Sequence, residues 1–267
     1  MSNEWSLFRN WELVLPPNRP GIEVIRTLWS VLRRNPTPRR AAVLGSTSEY
    51  LDLLVKLGAE EIFCLDRSKE FNELTQAFRT FPRTETLIVG DWMQTLSDMH
   101  GQFDLVLSDF TLGNLPYERQ DSFLSLINAS LKPSGYFADR LLTFRRPCHS
   151  YEALTEMFEL APSNLPTLNA FNAMWLFCGQ RVEQSHLVDT SATYDWTSRV
   201  FTQPHIQWLA SNCTKISPRG SVWYYGRPWA EVSGSYAKHF HIHAEYPEAT
   251  DSPYYGWAFT LVSSPVR

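Results

Sequence analysis

The stretch AAVLGSTSE, residues 41–49, decides the fold of this chain. Its apolar residues are followed by Gly45, which lets the backbone turn sharply, and then by residues 50–57, where apolar side chains recur at helical spacing. This order predicts a buried strand, a tight turn and an amphipathic helix that ends at Gly58.

The same strand-and-helix unit recurs in the following sequence. Short apolar runs typical of buried strands lie at Ile62–Leu65, Leu87–Val89, Phe103–Leu107 and Tyr136–Leu142. A helix over roughly Glu118–Leu131 is expected to stop at a turn formed by Lys132–Gly135. Strands that alternate with helices favour a mostly parallel sheet with right-handed crossovers and helices on both faces, an α/β Rossmann-like fold.

The flanking segments predict additions to this sheet. Residues 6–34 indicate a helical N-terminal cap, interrupted by the proline-rich stretch 16–20. After residue 146 the sequence becomes aromatic and proline-punctuated. Helices are expected at Leu168–Phe177, His205–Ser211 and Pro228–Lys238, and strands at Phe240–Glu245 and Trp257–Val262. The last two strands are expected to form a terminal antiparallel pair at the sheet edge.

Composition narrows the class of protein. The chain has 267 residues, 43% of them hydrophobic, and a net charge of −4. This charge counts against a nucleic-acid binder, which needs Lys and Arg to neutralise phosphates. No apolar run approaches the roughly 18 residues of a membrane span, so we expect no membrane partner and a cytoplasmic location. The four scattered cysteines form no CxxC pair, which predicts reduced thiols and no metal site.

Candidate ligand-binding residues follow the predicted strands, because ligands bind outside the carboxyl ends of strands in an open parallel sheet. Gly45 follows the first strand without the further glycines of a GxGxxG dinucleotide fingerprint. Asp66 ends the second strand, where a carboxylate can accept hydrogen bonds from two ribose hydroxyls. Asp91 and Trp92 follow the third, where they suit an adenine amino group and ring. Asp109 ends the fourth, where a carboxylate favours a positively charged ligand, although each acidic residue could instead cap a helix.

These motifs carry a family resemblance. In order, VLGSTSE (43–49), CLDRS (64–68), GDW (90–92), FDLVLSD (103–109) and LKPSGYF (131–137) resemble the motifs of class I methyltransferases that depend on S-adenosylmethionine (SAM). The segments 11–13 and 17–20 resemble the N-terminal cap of a bacterial subgroup that modifies small molecules or peptides and has a first motif of the form LGxTxE. The C-terminal strands resemble the closing pair of that subgroup.

The resemblance implies SAM as cofactor and S-adenosylhomocysteine (SAH) as product. Gly45 and Ser46 would cradle the methionine part of SAM, Asp66 would bind its ribose, and Asp109 would face its sulfonium end. The complete set of predicted cofactor-binding residues is Trp11, Arg19, Gly45, Ser46, Thr47, Asp66, Arg67, Gly90, Asp91, Trp92 and Asp109. We expect one domain over 1–267, with an N-terminal helical cap at 1–38, a SAM-binding core at 39–145, and a substrate cap with closing strands at 146–267.

Candidate catalytic and substrate-binding residues lie in and beside the cap. Methyl transfer needs no general base for a carboxylate acceptor, whereas a hydroxyl benefits from one, and Asp109, Tyr117 and His205 are the candidates. The pair His241 and His243 is better interpreted as exposed strand residues than as a base or a metal site. Aromatic residues of the cap suit an apolar, aromatic or peptidic acceptor, and the predicted substrate-binding set is Trp175, Tyr194, Trp208, Tyr224 and Tyr225.

The sequence therefore favours a SAM-dependent methyltransferase that modifies an oxygen, with a carboxylate as one candidate, on a small organic or peptidic acceptor of natural-product type. An N-methyltransferase and a SAM-binding module without transfer activity are alternatives. A nucleotide-dependent oxidoreductase on the same sheet is less favoured, because the glycines that hold a pyrophosphate are missing. The oligomeric state is left open between monomer and homodimer.

Overall fold

The computed structural model describes residues 10–144, 150–178, 181–182, 187–224, 226–248, 252 and 258–266. The strands are β1 Arg40–Leu44, β2 Glu61–Asp66, β3 Thr86–Val89, β4 Phe103–Asp109, β5 Leu131–Phe144, β6 Arg181–Val182, β7 Leu187–Asp189, β8 Val222–Tyr224, β9 Arg227–Pro228, β10 Phe240–Pro247 and β11 Ala258–Pro265. The α-helices are α1 Ile22–Leu32, α2 Ser48–Leu57, α3 Lys69–Thr75, α4 Trp92–Ser97, α5 Tyr117–Ser130, α6 Tyr151–Phe158, α7 Leu165–Cys178, α8 Thr190–Val200, α9 Pro204–Cys213 and α10 Trp229–His239.

The main sheet has the predicted architecture. Its strand order is β10-β11-β5-β4-β1-β2-β3, and the short β9 also pairs with β5. Strands β1 to β5 are parallel to one another, whereas β11 is antiparallel to both β5 and β10. This is a Rossmann-like, mostly parallel sheet closed by an antiparallel terminal strand pair, as the sequence predicts. The strand order reverses between β1 and β4, so the carboxyl ends of these two strands open a crevice.

Burial explains why the first strand is continuously apolar. Residues 41–44 of β1 are all buried, because the strand lies in the sheet centre and is covered on both faces. Leu44 belongs to the apolar cluster beneath α4, α5 and α10, whereas Val43 belongs to the cluster beneath α1 and α2. The helix that follows ends at Gly58, whose φ of 80° is left-handed, as expected for a glycine that closes a helix.

Strand β5 begins earlier than the sequence predicts. The segment Lys132–Gly135 was expected to form a turn, but β5 begins at Leu131, immediately after α5. Leu131 pairs with Phe103, and the register shifts before Leu105 pairs with Tyr136, so the extra residues are accommodated as an irregularity within the strand. A Cβ atom at Gly135 would lie 2.9 Å from the carbonyl oxygen of Phe103, so glycine is required there for close approach of the backbones.

The caps differ from the sequence expectation in detail. The described part of the N-terminal segment contains only a 3-10 turn at Trp11–Leu13 and the helix α1, not a helix on both sides of the prolines. The cap segment after residue 146 contains α6, α8 and a small sheet in the order β6-β7-β8, which the sequence pattern did not indicate. These elements are short, and α8 has threonine and serine at positions where a stronger apolar stripe would mark a helix. In the described part of the chain, no helix is long and apolar enough to cross a membrane.

The close approach at Gly135 generates a stability test. We expect Gly135→Ala to lower the free energy of unfolding by about 1–3 kcal/mol, because the added methyl group meets backbone that cannot move aside. The matched control is Gly234→Ala in α10, where nothing lies within 4 Å of the added Cβ. That change is expected to raise the free energy of unfolding by about 0.5–1 kcal/mol through helix propensity. Urea denaturation measures both, and equal effects of the two variants would contradict the assignment of Gly135 to a paired strand.

Candidate functional site

A cavity of about 420 Å³ opens at the carboxyl ends of the central strands. This volume lies within the range of small-molecule and cofactor sites, about 300–1,000 Å³. On the strand side the cavity is lined by Gly45, Ser46, Thr47, Asp66, Arg67, Gly90, Asp91, Trp92 and Asp109. The remaining lining comes from the N-terminal segment, α5, the end of β5 and the cap, and includes Asn18, Gln120, Leu142, Asn172, Val188, Ile216, Trp223, Tyr224 and Arg227.

The turn after β1 forms a cradle. Gly45 has a φ of 93°, a conformation that L-residues with a side chain rarely adopt. Its N–H donates to the carbonyl oxygen of Leu65 at 2.8 Å, which fixes the turn against β2. A Cβ atom at this position would lie 3.9 Å from the indole of Trp92. Because Gly45 has no side chain, a ligand in the cavity can approach the backbone of this loop closely.

Asp66 is held rigidly at the end of β2. Its Oδ2 accepts from the Ser46 hydroxyl at 2.7 Å, and its Oδ1 accepts from the N–H of Ser68 at 2.9 Å. Ser68 in turn caps α3 by accepting from the N–H of Phe71. Asp66 thus does not cap the helix itself. Each carboxylate oxygen has further acceptor capacity, and the residue lines the cavity, so it can accept hydrogen bonds from a ligand.

Asp91 and Trp92 follow β3, and each makes a structural hydrogen bond and also lines the cavity. Asp91 caps α4, because its Oδ1 accepts from the N–H groups of Met93 at 2.9 Å and Gln94 at 3.4 Å. The indole N–H of Trp92 donates to the carbonyl oxygen of Leu65 at 2.7 Å, which fixes the orientation of the ring. Both residues also line the cavity. The helix-cap alternative is therefore correct for Asp91, and its predicted ligand-facing position is retained.

Asp109 is not the isolated carboxylate that the sequence suggested. Its Oδ1 accepts from Nη1 of the fully buried Arg140 at 3.0 Å. The same guanidinium donates to Oε1 of Glu248 at 2.6 Å and to the carbonyl oxygen of Pro17 at 2.8 Å. Burial raises the pKa of Asp109 above its ordinary value, and the Arg140 guanidinium offsets part of that rise. Asp109 is therefore held in the cavity wall by the Arg140 guanidinium, which it shares with Glu248.

Of the two N-terminal residues that were predicted to bind the cofactor, Trp11 lines the cavity and Arg19 does not. Trp11 lines the cavity and packs edge-on against Phe71 with ring centroids 4.9 Å apart. Its indole N–H is buried and has no hydrogen-bond partner among the described residues. Arg19 does not line the cavity, because its guanidinium lies 3.3 Å from Glu49 and over the ring of Phe78. Arg19 therefore fastens the N-terminal segment to α2.

The other catalytic candidates are not brought to the cavity. Tyr117 is absent from the lining, and its ring packs 6.3 Å from that of Tyr224 and 5.4 Å from the Arg227 guanidinium. His205 lies at the start of α9, where its ring stacks on Trp208. Tyr117 thus lies behind two residues of the cavity lining, whereas His205 lies on α9. Sequence spacing could not reveal this, because both positions depend on how the cap folds back on the sheet.

Of the aromatic residues predicted to bind substrate, the structure places Tyr224 in the cavity lining. Trp175 is buried in the core of the cap and donates to the Thr197 hydroxyl, and Tyr194 is buried beside it and donates to the carbonyl oxygen of Ser217. Trp208 lies on the surface of α9 and is 41% exposed. These three are therefore structural or surface residues rather than lining residues, and Tyr225 lies outside the described residues.

Several lining residues were missed by the sequence interpretation. They are Val14, Asn18, Phe110, Gln120, Asn172, Trp223 and Arg227. Trp223 and Arg227 lie in the aromatic, proline-punctuated sequence after residue 146, so composition indicates the segment but not these residues. No sequence signal distinguishes Asn172 from other asparagines, because its position depends on how α7 packs against the N-terminal segment.

The residues present fit SAM. The bare glycine turn can accommodate the methionine part, Asp66 offers acceptor atoms for ribose hydroxyls, and Trp92 offers a fixed aromatic face for adenine. The buried N–H of Trp11 gives an additional donor at the cavity that no described residue satisfies. Ten of the eleven residues predicted at the cofactor line this one cavity, all except Arg19.

Comparison with known proteins finds a methyltransferase domain in part of the chain and a fold shared with solved structures. Residues 43–139 match the family model described as a methyltransferase domain. No curated protein sequence matches the chain. The N-methyltransferase NodS from Bradyrhizobium japonicum WM9, in complex with SAH, is 10% identical with a TM-score of 0.55, and the match covers 98% of each chain.

Two further solved structures show how widely the fold is shared. An O-methyltransferase family 2 protein from Planctomyces limnophilus DSM 3776, in complex with apigenin, is 13% identical with a TM-score of 0.53, covering 100% of this chain and 62% of that one. A protein provisionally described as a zinc-dependent alcohol dehydrogenase from Rhodobacter sphaeroides is 15% identical with a TM-score of 0.60, covering 100% of both chains. At this identity the likeness establishes the fold, and the chemistry must be argued from the site.

Arg140 generates a second stability test. We expect Arg140→Met to lower the free energy of unfolding by about 3–5 kcal/mol, because Asp109 and Glu248 would be left as buried charges without a partner. The control is Arg39→Met, which removes a surface pair with Glu60 whose arginine side chain is 74% exposed. That change is expected to alter the free energy of unfolding by less than about 0.5 kcal/mol. Guanidinium denaturation compares the two, and a small loss for Arg140→Met would show that the buried cluster does not stabilise the fold.

Proposed function

We propose that this protein is a SAM-dependent methyltransferase that acts on a small organic or peptidic acceptor. The observation that carries the proposal is the convergence of Gly45, Asp66 and Trp92 on one cavity at the carboxyl ends of β1, β2 and β3. The match of residues 43–139 to a methyltransferase domain supports the same assignment. The SAH complex of NodS supports the choice of cofactor.

The chain's own residues bind and orient rather than exchange protons. Bound SAM supplies an activated methyl group for in-line displacement. The Gly45 turn, Asp66 and Trp92 position the cofactor, and the N-terminal segment with α7 covers the cavity and excludes water. Asp109 is fixed by Arg140 and forms part of the cavity wall at the end of β4. Under this mechanism the nucleophilic atom of the acceptor reacts without a strong base from the protein. If that atom carries a proton, the proton is released to solvent.

The cap half of the cavity indicates the kind of acceptor. Val188, Ile216 and Trp223 present an apolar surface there, next to Leu142 at the end of β5, which suits an apolar or aromatic molecule. We propose an oxygen acceptor on a compound of natural-product type, with a nitrogen acceptor as the alternative. Neighbours of both kinds share this fold. We further propose a cytoplasmic protein, monomeric or homodimeric, that requires neither nucleic acid nor membrane.

The cofactor assignment is tested by calorimetric titration with SAH. We expect the wild type to bind SAH with micromolar affinity, and Asp66→Ala to bind about 10–100-fold more weakly because charge-assisted hydrogen bonds to the ribose are lost. The control is Asp98→Ala, which removes an exposed carboxylate outside the cavity lining and is expected to leave SAH affinity unchanged. A thermal melt of each variant confirms folding.

A parallel titration with NADH separates the alternatives. The proposal predicts SAH binding without comparable NADH binding, since the pyrophosphate-binding glycines are missing. Tight NADH binding with no SAH binding would favour the oxidoreductase. SAH binding by a protein that transfers no methyl group to any acceptor would favour a binding module. Equal SAH affinity of wild type and Asp66→Ala would remove the proposed ribose contact.

A further inference from the structure

Asn172 is a buried polar residue of the cavity that the fold does not use. It lies in α7, lines the cap side of the cavity and is 1% exposed. Its side-chain oxygen Oδ1 is buried and has no hydrogen-bond partner among the residues that the structure describes. A buried amide oxygen without a partner is unfavourable, and native structures keep few such groups.

The contrast with Asn169, one turn earlier on the same helix, is informative. Its Oδ1 accepts from the N–H of Leu15 and from Nδ2 of Asn18, both at 2.9 Å. Its Nδ2 donates to the carbonyl oxygens of Leu13 at 2.9 Å and Leu165 at 3.0 Å. Asn169 therefore anchors the N-terminal segment to the cap. Asn172 performs no such task for the described residues, although it is equally buried.

The position of Asn172 points to the acceptor rather than the cofactor. The residues that fit SAM lie at the ends of β1 to β3 and, for Trp11, in the N-terminal segment, whereas Asn172 lies on α7 and lines the cavity together with Val188 and Ile216 of the cap. Val188 and Ile216 are apolar, whereas Ser217 and Arg227 are polar, so the Asn172 amide is one of a few polar groups that the cap presents to the cavity. Such sparse polar groups typically fix the orientation of a ligand and select its chemistry.

We propose that Asn172 is a specificity-determining residue whose Oδ1 accepts a hydrogen bond from a hydroxyl or N–H group of the methyl acceptor. The inference rests on the proposed function. An ionised carboxylate has no hydrogen to donate, so it cannot make this contact with Oδ1. Within the proposed O-methylation, it favours an acceptor with a hydroxyl on an apolar or aromatic body.

The test uses the full-length protein saturated with SAH and three small probes: phenol, anisole and benzoate. Phenol has an O–H donor, anisole has the same ring without the donor, and benzoate is an acceptor only. Their affinities are measured by NMR titration. We expect phenol to bind about fivefold more tightly than anisole and more tightly than benzoate, the gain of one hydrogen bond.

The variant Asn172→Leu replaces the amide with an apolar group of similar size. It is expected to bind phenol and anisole equally, to keep wild-type SAH affinity, and to melt at the same or a higher temperature, because an unpaired polar group is removed. Asn169→Leu is the contrasting variant, and it is expected to lower the melting temperature because several hydrogen bonds are lost. A merely structural role for Asn172 would make the two variants alike.

Several outcomes would overturn the inference. They are equal binding of phenol and anisole by the wild type, preference for benzoate, binding of no probe by the SAH-loaded protein, or a phenol preference that survives in Asn172→Leu. Loss of SAH affinity in Asn172→Leu would make Asn172 a cofactor contact instead. Failure of the wild type to bind SAH at all is a different result, because it refutes the proposed function itself.

Discussion

The buried guanidinium of Arg140 is the interaction on which the arrangement of the site depends. It contacts the end of β4 through Asp109, the segment after β10 through Glu248 and the N-terminal segment through Pro17. Removing a guanidinium from water is costly, and only a full set of partners compensates for it. Its stacking 4.1 Å from the ring of Phe110 coincides with a left-handed φ of 55° at that residue, a conformation that tertiary contacts must hold.

This constraint connects the core to the caps. The N-terminal segment is held by Arg140 at Pro17, by Arg19 at α2 and by Asn169 at α7. The segment therefore contributes Trp11, Val14 and Asn18 to the lining of the cavity at the end of the central strands. The cavity combines a polar half that the sheet supplies with an apolar half that the cap supplies. A cofactor and an acceptor need such neighbouring but chemically different surfaces.

Much of the core was predictable from sequence, and the caps were not. The strands of the parallel sheet, the closing role of Gly58 and the residues around the cofactor follow local rules of burial, turn geometry and strand-end position. The role of Asp109 did not follow, because its partner Arg140 lies in another strand. His205 and Trp175 were assigned to the site for their chemistry, yet α9 and α7 direct them elsewhere. Asn172 went unnoticed for the same reason, since its isolation is a property of tertiary packing.

The most direct test of this account is a crystal structure of the protein with SAH. The account predicts electron density for the ligand inside the cavity, with the ribose hydroxyls at Asp66, the adenine against Trp92 and the homocysteine part at the Gly45 turn. The cap side, including Asn172, should remain open for an acceptor. Density for SAH elsewhere, or across the cap half so that no acceptor can enter, would contradict the assignment of the two halves.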